Sequence, residues 1–223
     1  MKIFKIVLLC IITFLTRAEA QEFTFKLLTG EPLQELKFYM IAQRITEFKE
    51  YPYLYEANHT EEHEHAEWFL NLPDTAAAVV YFENMPVGYI SGTSLVDFDA
   101  NFKGSIHQFK AAGLNPYEYF YISEAIIEKR YRNNKLLRPM HELLEKYAQE
   151  RGYTSICFVT EEHKFHPLKP TDYKPLDDVY KKAGYTKTDV TIQFSYMTIQ
   201  PNGVIAHQAH LFTYWIKDIT QSV

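Results

Sequence analysis

EYFYISEAIIEKRYRNNKLLR, residues 118–138, decides the fold of this chain. Its first half, Glu118 to Ile127, is a nearly unbroken apolar and aromatic run of strand length, the kind that sits centrally in a sheet with both faces covered. Its second half packs five cations into ten positions: Lys129, Arg130, Arg132, Lys135 and Arg138. Without any glycine it then enters a helical pattern, with Met140, Leu143, Leu144, Tyr147 and Ala148 on one face and Gly152 at the end. TSICFVT (154–160) reads as the next strand, and a strand, helix, strand order places the two strands parallel. A helix that starts just past a central strand aims unpaired N–H groups and the positive end of its dipole beyond the strand end, where phosphate is the natural guest. The plain alternative is a solvated basic loop.

Outward from this segment the pattern stays mixed. EFTFKLL (22–28) predicts a strand, and Thr29-Gly30 with Pro32 opens a helix carrying Leu33, Leu36, Met40, Ile41, Ile45 and Phe48. YPYLY (51–55) breaks it, and Asn58 with Glu61 forms a capping-box signal for a second helix through Leu70. AAAVVYF (76–82) and VGYISGTSL (87–95) make a hairpin around ENMP, and FKGSIHQFKAAG (102–113) predicts one helix ending at Gly113. A proline-rich loop leads to the short helix PLDDVYKKAG (175–184). VTIQFSYMTI (190–199), the turn PNG and HLFTYWIKDI (210–219) then form an antiparallel pair. The expected fold class is α/β: a mixed sheet of about seven strands, a central parallel pair and flanking helices, in one domain over residues 21–223.

Residues 1–20 are expected to be a secretory signal peptide, with Lys2 and Lys5, the apolar run Ile6 to Leu15, and Ala18-Glu19-Ala20 as cleavage site. Export to the periplasm or beyond is the reading, with an uncleaved membrane anchor as the alternative; the run is short of the ~20 residues that span comfortably. Cleavage removes Lys2, Lys5, Arg17 and Glu19 and takes the net charge from -5 to -7, which argues against a general nucleic-acid binder. Cys157 then remains alone, so no internal disulfide is expected.

Strand, Y-R-x-x-K-L-L (131–137), helix, strand, then Y-x-x-x-G-Y at Tyr180, Gly184 and Tyr185 together resemble the GNAT superfamily of N-acetyltransferases. YPYLY, an acidic residue at Glu124 in the fourth strand, and HPLKPTDYKPLD (166–177) resemble uncharacterised bacterial members, over about residue 40 to the C-terminus. The resemblance implies that acetyl-CoA is the cosubstrate and that the loop after the fourth strand holds its pyrophosphate on backbone amides. It assigns Ile126, Ile127, Arg132, Asn133, Asn134, Lys135, Leu136, Leu137 and Arg138 to cofactor binding. In the family the loop reads Q/R-x-x-G-x-G/A; here Arg132 matches its first residue, while Lys135 and Leu137 stand where glycines belong. Asn133 tolerates left-handed geometry, Lys135 does so only at a cost, and Leu137 either packs under the helix or crowds the diphosphate.

Acyl transfer to an amine needs a base for the amine proton, a donor for the carbonyl oxygen and an acid for the departing thiolate. The resemblance makes Glu124 the base, directly or through water, with a satisfied buried carboxylate as its alternative, and Tyr180 the acid, with a packing role as its alternative. Tyr51, Tyr53, Tyr55, His166 and Tyr173 are the candidate acceptor-site residues. His59 with His63 and Glu61 with His65 have i,i+4 spacing but read as a charged surface helix, so no metal is expected. The implied function is an acyl-CoA-dependent N-acyltransferase acting on an amine of a small molecule or protein. The competitor is an exported, catalytically inactive binding or scaffolding protein of the same fold.

Overall fold

The computed structural model describes residues 22–161 and 167–220. The expected signal peptide and His166 lie outside these residues. Seven strands form one sheet in the order β1-β2-β3-β4-β5-β7-β6: β1 Phe23–Thr29, β2 Ala76–Phe82, β3 Met85–Ser94, β4 Tyr119–Ile127, β5 Ser155–Glu161, β6 Thr186–Ile199 and β7 Ile205–Asp218. All neighbours are antiparallel except β4 and β5, the pair expected to be parallel.

Helices cover both faces. Against one face lie α1 Gly30–Glu35, α2 Lys37–Glu47, α3 His59–Leu70, α4 Leu95–Phe102 and α5 Ser105–Ala111, closing over Leu33, Met40, Phe69, Tyr89, Phe109 and Tyr214. Against the other lie α6 Leu137–Glu150 and α7 Asp177–Lys182, over Ile90, Phe120, Met140, Leu144, Ile156 and Trp215. β4 is apolar on both faces because it separates these two cores. Among the described residues no helix is long and apolar enough to cross a membrane.

Local chemistry accounts for the boundaries. Asn58 caps α3, its side chain accepting from the backbone N–H groups of Thr60 (2.9 Å) and Glu61 (3.4 Å), an arrangement worth about 1 kcal/mol. The β2–β3 turn is tighter than the ENMP expected: Glu83 and Asn84 alone turn the chain, both at positive φ, and Met85 already pairs with Phe82. The helix expected over 102–113 is the shorter α5, and an unexpected helix, α4, precedes it. Lys103 separates the two at φ 49°, and the Asp99 carboxylate caps α5 by accepting from the N–H groups of Gly104 (2.9 Å), Ser105 (2.6 Å) and Ile106 (3.2 Å).

Candidate active site

The parallel pair parts almost as soon as it forms. Tyr119 to Tyr121 face Ser155 to Cys157, and beyond them β4 stays bonded to β3 while β5 stays bonded to β7. A bulge between Ser91 and Gly92 of β3, opposite Glu124 and Ile122, bends β4 where the parting begins. Gly92 allows it: a Cβ there would stand 2.6 Å from the Tyr121 carbonyl oxygen and 2.5 Å from the Phe120 ring. Beyond Tyr121 the edge of β4 that faced β5 pairs with no described strand, so its backbone groups can bond an extended ligand. Ala125 is exposed on this stretch, though Glu124 and Ile126 beside it are buried.

Glu124 points to the α2–α3 side. Arg44 of α2 pairs with it through Nη1 and with Glu62 of α3 through Nε, so one guanidinium bridges two buried carboxylates. The Tyr89 hydroxyl donates to Glu124 Oε2 (2.6 Å), the Tyr55 hydroxyl donates to Glu62 Oε1 (2.6 Å), and His65 Nε2 lies 3.6 Å from Glu124 Oε1. Burial alone would push the Glu124 carboxyl up, but Arg44, then His65 and the Tyr89 hydroxyl, overcome it and hold the group down at about 2. Ser91 Oγ, fully buried on the strand position opposite Glu124, has no hydrogen-bond partner among the described residues. Sequence reasoning missed Arg44 and Glu62. The signal was there: Arg44 continues the helical stripe of Met40, and Glu62 and His65 share one with Ala66 and Phe69. The charged helix expected over 59–70 therefore turns two of its polar residues inward.

Glu161, on the other arm, is as deeply placed. Oε1 pairs with His210 Nδ1, and Oε2 accepts from the Tyr196 hydroxyl at 2.9 Å. His210 Nε2 meets the Thr198 hydroxyl at 2.7 Å, and the Tyr196 ring stacks on the imidazole with centroids 4.0 Å apart. Strand alternation could have found both, since Glu161 shares a phase with Cys157 and Val159, and His210 with Phe212 and Tyr214.

The basic loop keeps its expected shape without glycine. Asn133 and Lys135 both adopt left-handed backbone, at φ 69° and 60°; for lysine this costs about 1–2 kcal/mol. Leu136 is buried, and Leu137 packs against the core beneath α6, which is the first of its two expected alternatives. The cations are mostly paired. Lys129 binds Glu50 (2.6 Å), Arg130 binds Glu128 (3.0 Å), Arg138 binds Glu142 (2.8 Å), and Arg132 reaches Glu47 and Glu50 of the α2 end while its Nε donates to the Ile127 carbonyl (3.1 Å). Among the described residues no carboxylate pairs with Lys135. Asn134 donates to the Tyr131 carbonyl (2.9 Å), and the Ile126 side chain is buried on the α2 face, which leaves only its backbone for a ligand.

The aromatic candidates divide. Tyr51 and Tyr173 meet edge to face at 4.6 Å and, with Glu161 and Asp177, line a cleft of about 430 Å³. Tyr53 packs on Phe48 at 5.0 Å; burial, then Glu161, Tyr173 and Glu124, raise its hydroxyl, so it senses both arms of the parting. Tyr55 is tied to Glu62 and to the Tyr196 ring, inside the polar network and away from the cleft lining. Tyr180 meets Phe158 (4.7 Å) and Trp215 (5.4 Å) edge to face on the α6 side; burial, then Tyr53 and Tyr173, keep its hydroxyl protonated well beyond the ordinary range. Among the described residues no group of three or more metal-ligating side chains gathers.

No protein-family model matches the sequence, and no curated protein matches it. Solved structures do match. The aminoglycoside 6'-N-acetyltransferase from Enterococcus faecium superposes with a TM-score of 0.55 at 15% identity, over 90% of this chain and 99% of that one. An aminoglycoside 6'-N-acetyltransferase complexed with coenzyme A gives 0.54 at 15%, over 89% and 99%. The ribosomal-protein-alanine N-acetyltransferase from Brucella melitensis gives 0.54 at 11%, over 87% and 99%. At these identities the likeness is one of fold: the seven-stranded mixed sheet with its flanking helices matches that of GNAT acetyltransferases.

Proposed function

We propose that the chain is an N-acyltransferase that passes an acyl group, acetyl first among candidates, directly from an acyl-CoA to an amine. One observation carries this reading: the parted strands open beside a loop whose Asn133 and Lys135 hold left-handed backbone in glycine's place. Such a loop at the start of α6 turns backbone N–H groups toward a diphosphate, and Lys135 adds an ammonium. The carboxylates now paired with Lys129, Arg132 and Arg138 are no obstacle. Exposed ion pairs contribute about 0–1 kcal/mol, so a doubly charged phosphate group displaces them. The thioester arm, an extended chain with amides, suits the unpaired edge of β4 past Tyr121 and the space above Ala125.

In this reading Tyr180, kept protonated by burial, gives its proton to the departing thiolate. Glu124 contributes as fixed negative charge that holds Arg44 and Tyr89, since a carboxylate at about 2 is a weak proton acceptor at neutral pH. Tyr51, Tyr53 and Tyr173 shape the acceptor's approach, and the reading includes export after cleavage behind Ala20.

Thiol release from acetyl-CoA with a panel of primary amines tests the reading. Turnover that depends on both substrates, and falls about tenfold to a hundredfold in Tyr180→Phe with acetyl-CoA affinity unchanged, supports it. A chain that binds acetyl-CoA yet turns over no amine is the scaffold that competes with it.

A further inference from the structure

The cations of the loop before α6 and the aromatic residues of the acceptor side meet at one residue, Glu50. The Lys129 ammonium binds Glu50 Oε1 (2.6 Å) and Arg132 Nη1 binds Glu50 Oε2 (3.2 Å), while Arg132 Nη2 reaches Glu47, the last residue of α2. Arg132 Nε donates to the carbonyl of Ile127, the last residue of β4, so the guanidinium stands at the strand end beside the start of α6. Lys129 foremost holds the Glu50 carboxyl below its ordinary range, so the group is charged at neutral pH. Carboxylate and phosphate oxygens suit the same guanidinium fork, which makes Glu50 an internal anion at cations that a diphosphate also fits. Glu50 is, besides, the foot of the turn that follows α2. Its carbonyl accepts from the Leu54 N–H (3.0 Å), and the Phe48 carbonyl accepts from the Tyr55 N–H (2.9 Å). This turn carries Tyr51 into the cleft against Tyr173 and Tyr53 onto Phe48.

We propose that Glu50 couples the two substrate sites: the diphosphate of an acyl-CoA takes Lys129 and Arg132 from it, and its release loosens the turn at 50–55 that shapes the acceptor's approach. The proposal rests on the acyl-transfer reading above. Charge and reach favour the exchange. Glu50 brings one negative charge on a side chain 39% exposed, whereas a diphosphate brings two or more and also meets the Lys135 ammonium, which pairs with no carboxylate among the described residues. Glu47 is buried at the helix end and moves with α2, so Glu50, beyond that end, is the carboxylate that can swing away. Coupling between two ligands is reciprocal, so an acceptor that rearranges the turn also favours acyl-CoA at the loop.

Calorimetric titration of the wild-type chain, Glu50→Gln and Glu50→Asp with coenzyme A separates a contact from a charge. Freeing Lys129 and Arg132 should tighten binding about threefold to tenfold in Glu50→Gln, and Glu50→Asp, which keeps the charge but shortens its reach, should tighten it by a smaller factor. Equal or weaker binding in Glu50→Gln overturns the proposal. Tightening in Glu50→Gln beside unchanged binding in Glu50→Asp assigns the effect to net charge and overturns it as well. Amide hydrogen exchange reads the relay: saturating coenzyme A should quicken exchange at Leu54 and Tyr55 in the wild type and add nothing in Glu50→Gln, where exchange is already quick. Unchanged or slowed exchange at both amides in the wild type removes the coupling. If neither the wild type nor the variants bind coenzyme A, the acyl-transfer reading fails, and inorganic pyrophosphate judges Glu50 alone. Tighter pyrophosphate binding in Glu50→Gln than in the wild type supports its place at these cations; equal or undetectable binding rules it out.

Discussion

Glu124 on β4 and Glu161 on β5 stand shortly past Tyr121 and Cys157, the last residues at which the two strands pair with each other, and both turn to the face covered by α2 and α3. Each accepts a hydrogen bond from a tyrosine, Glu124 from Tyr89 and Glu161 from Tyr196. Glu124 nevertheless shares an arginine with a third carboxylate and joins two helices to the sheet, whereas Glu161 is held by a histidine within β5, β6 and β7 at the border of a cleft. Identical side chains at nearly mirrored places thus tie together different parts of the fold: a guanidinium joins Glu124 to α2 and α3, and an imidazole joins Glu161 to β7.

The largest effect expected from breaking this contrast is at Arg44. Arg44→Met leaves Glu62 and Glu124 buried without their cation and should cost about 3–5 kcal/mol in urea unfolding; a loss below about 1 kcal/mol would show that the two carboxylates do not depend on it. Acid should probe the same arm. The folded-state pKa of Glu124, about 2, lies below its ordinary 4.5. The stability it contributes is therefore full above the ordinary value and is lost as pH falls from about 4.5 towards 2, a change on the order of 3 kcal/mol. Glu124→Gln should flatten that limb of the stability–pH curve, and an unaltered limb would assign it to other carboxylates.

Smaller effects sharpen the other arm and the loop. Tyr196→Phe removes one bond to Glu161 and should cost about 1 kcal/mol of stability while leaving the acid limb due to Glu124 intact; a shifted limb would mean the arms are coupled. Lys135→Gly relieves a left-handed lysine and should stabilise the chain by up to about 1 kcal/mol while weakening acyl-CoA binding. A destabilised variant would contradict the strain argument.

The regular parts of this arrangement were legible in the sequence because each depends on local periodicity. The apolar run at 118–127, the stripe from Met140 to Ala148 and the cap at Asn58 all specify their elements from within a few residues. The helix at 95–102 escaped because its boundary rests on Asp99 bonding to N–H groups five to seven residues away. Loop geometry was half legible: asparagine at 133 announces left-handed backbone, while Lys135 takes it against its own preference. The polar networks were least legible. Arg44, Glu62 and Glu124 come from three elements, and Glu161, His210 and Thr198 from three strands. Their inward phase was readable residue by residue, but which polar groups meet depends on sheet order and on where β4 leaves β5.

Calorimetric titration of residues 21–223 with acetyl-CoA, beside Lys135→Ala, tests the central claim most directly. The account predicts saturable binding that weakens with added salt and weakens further, by about tenfold, without the Lys135 ammonium. No heat and no thermal shift at millimolar acetyl-CoA would contradict it.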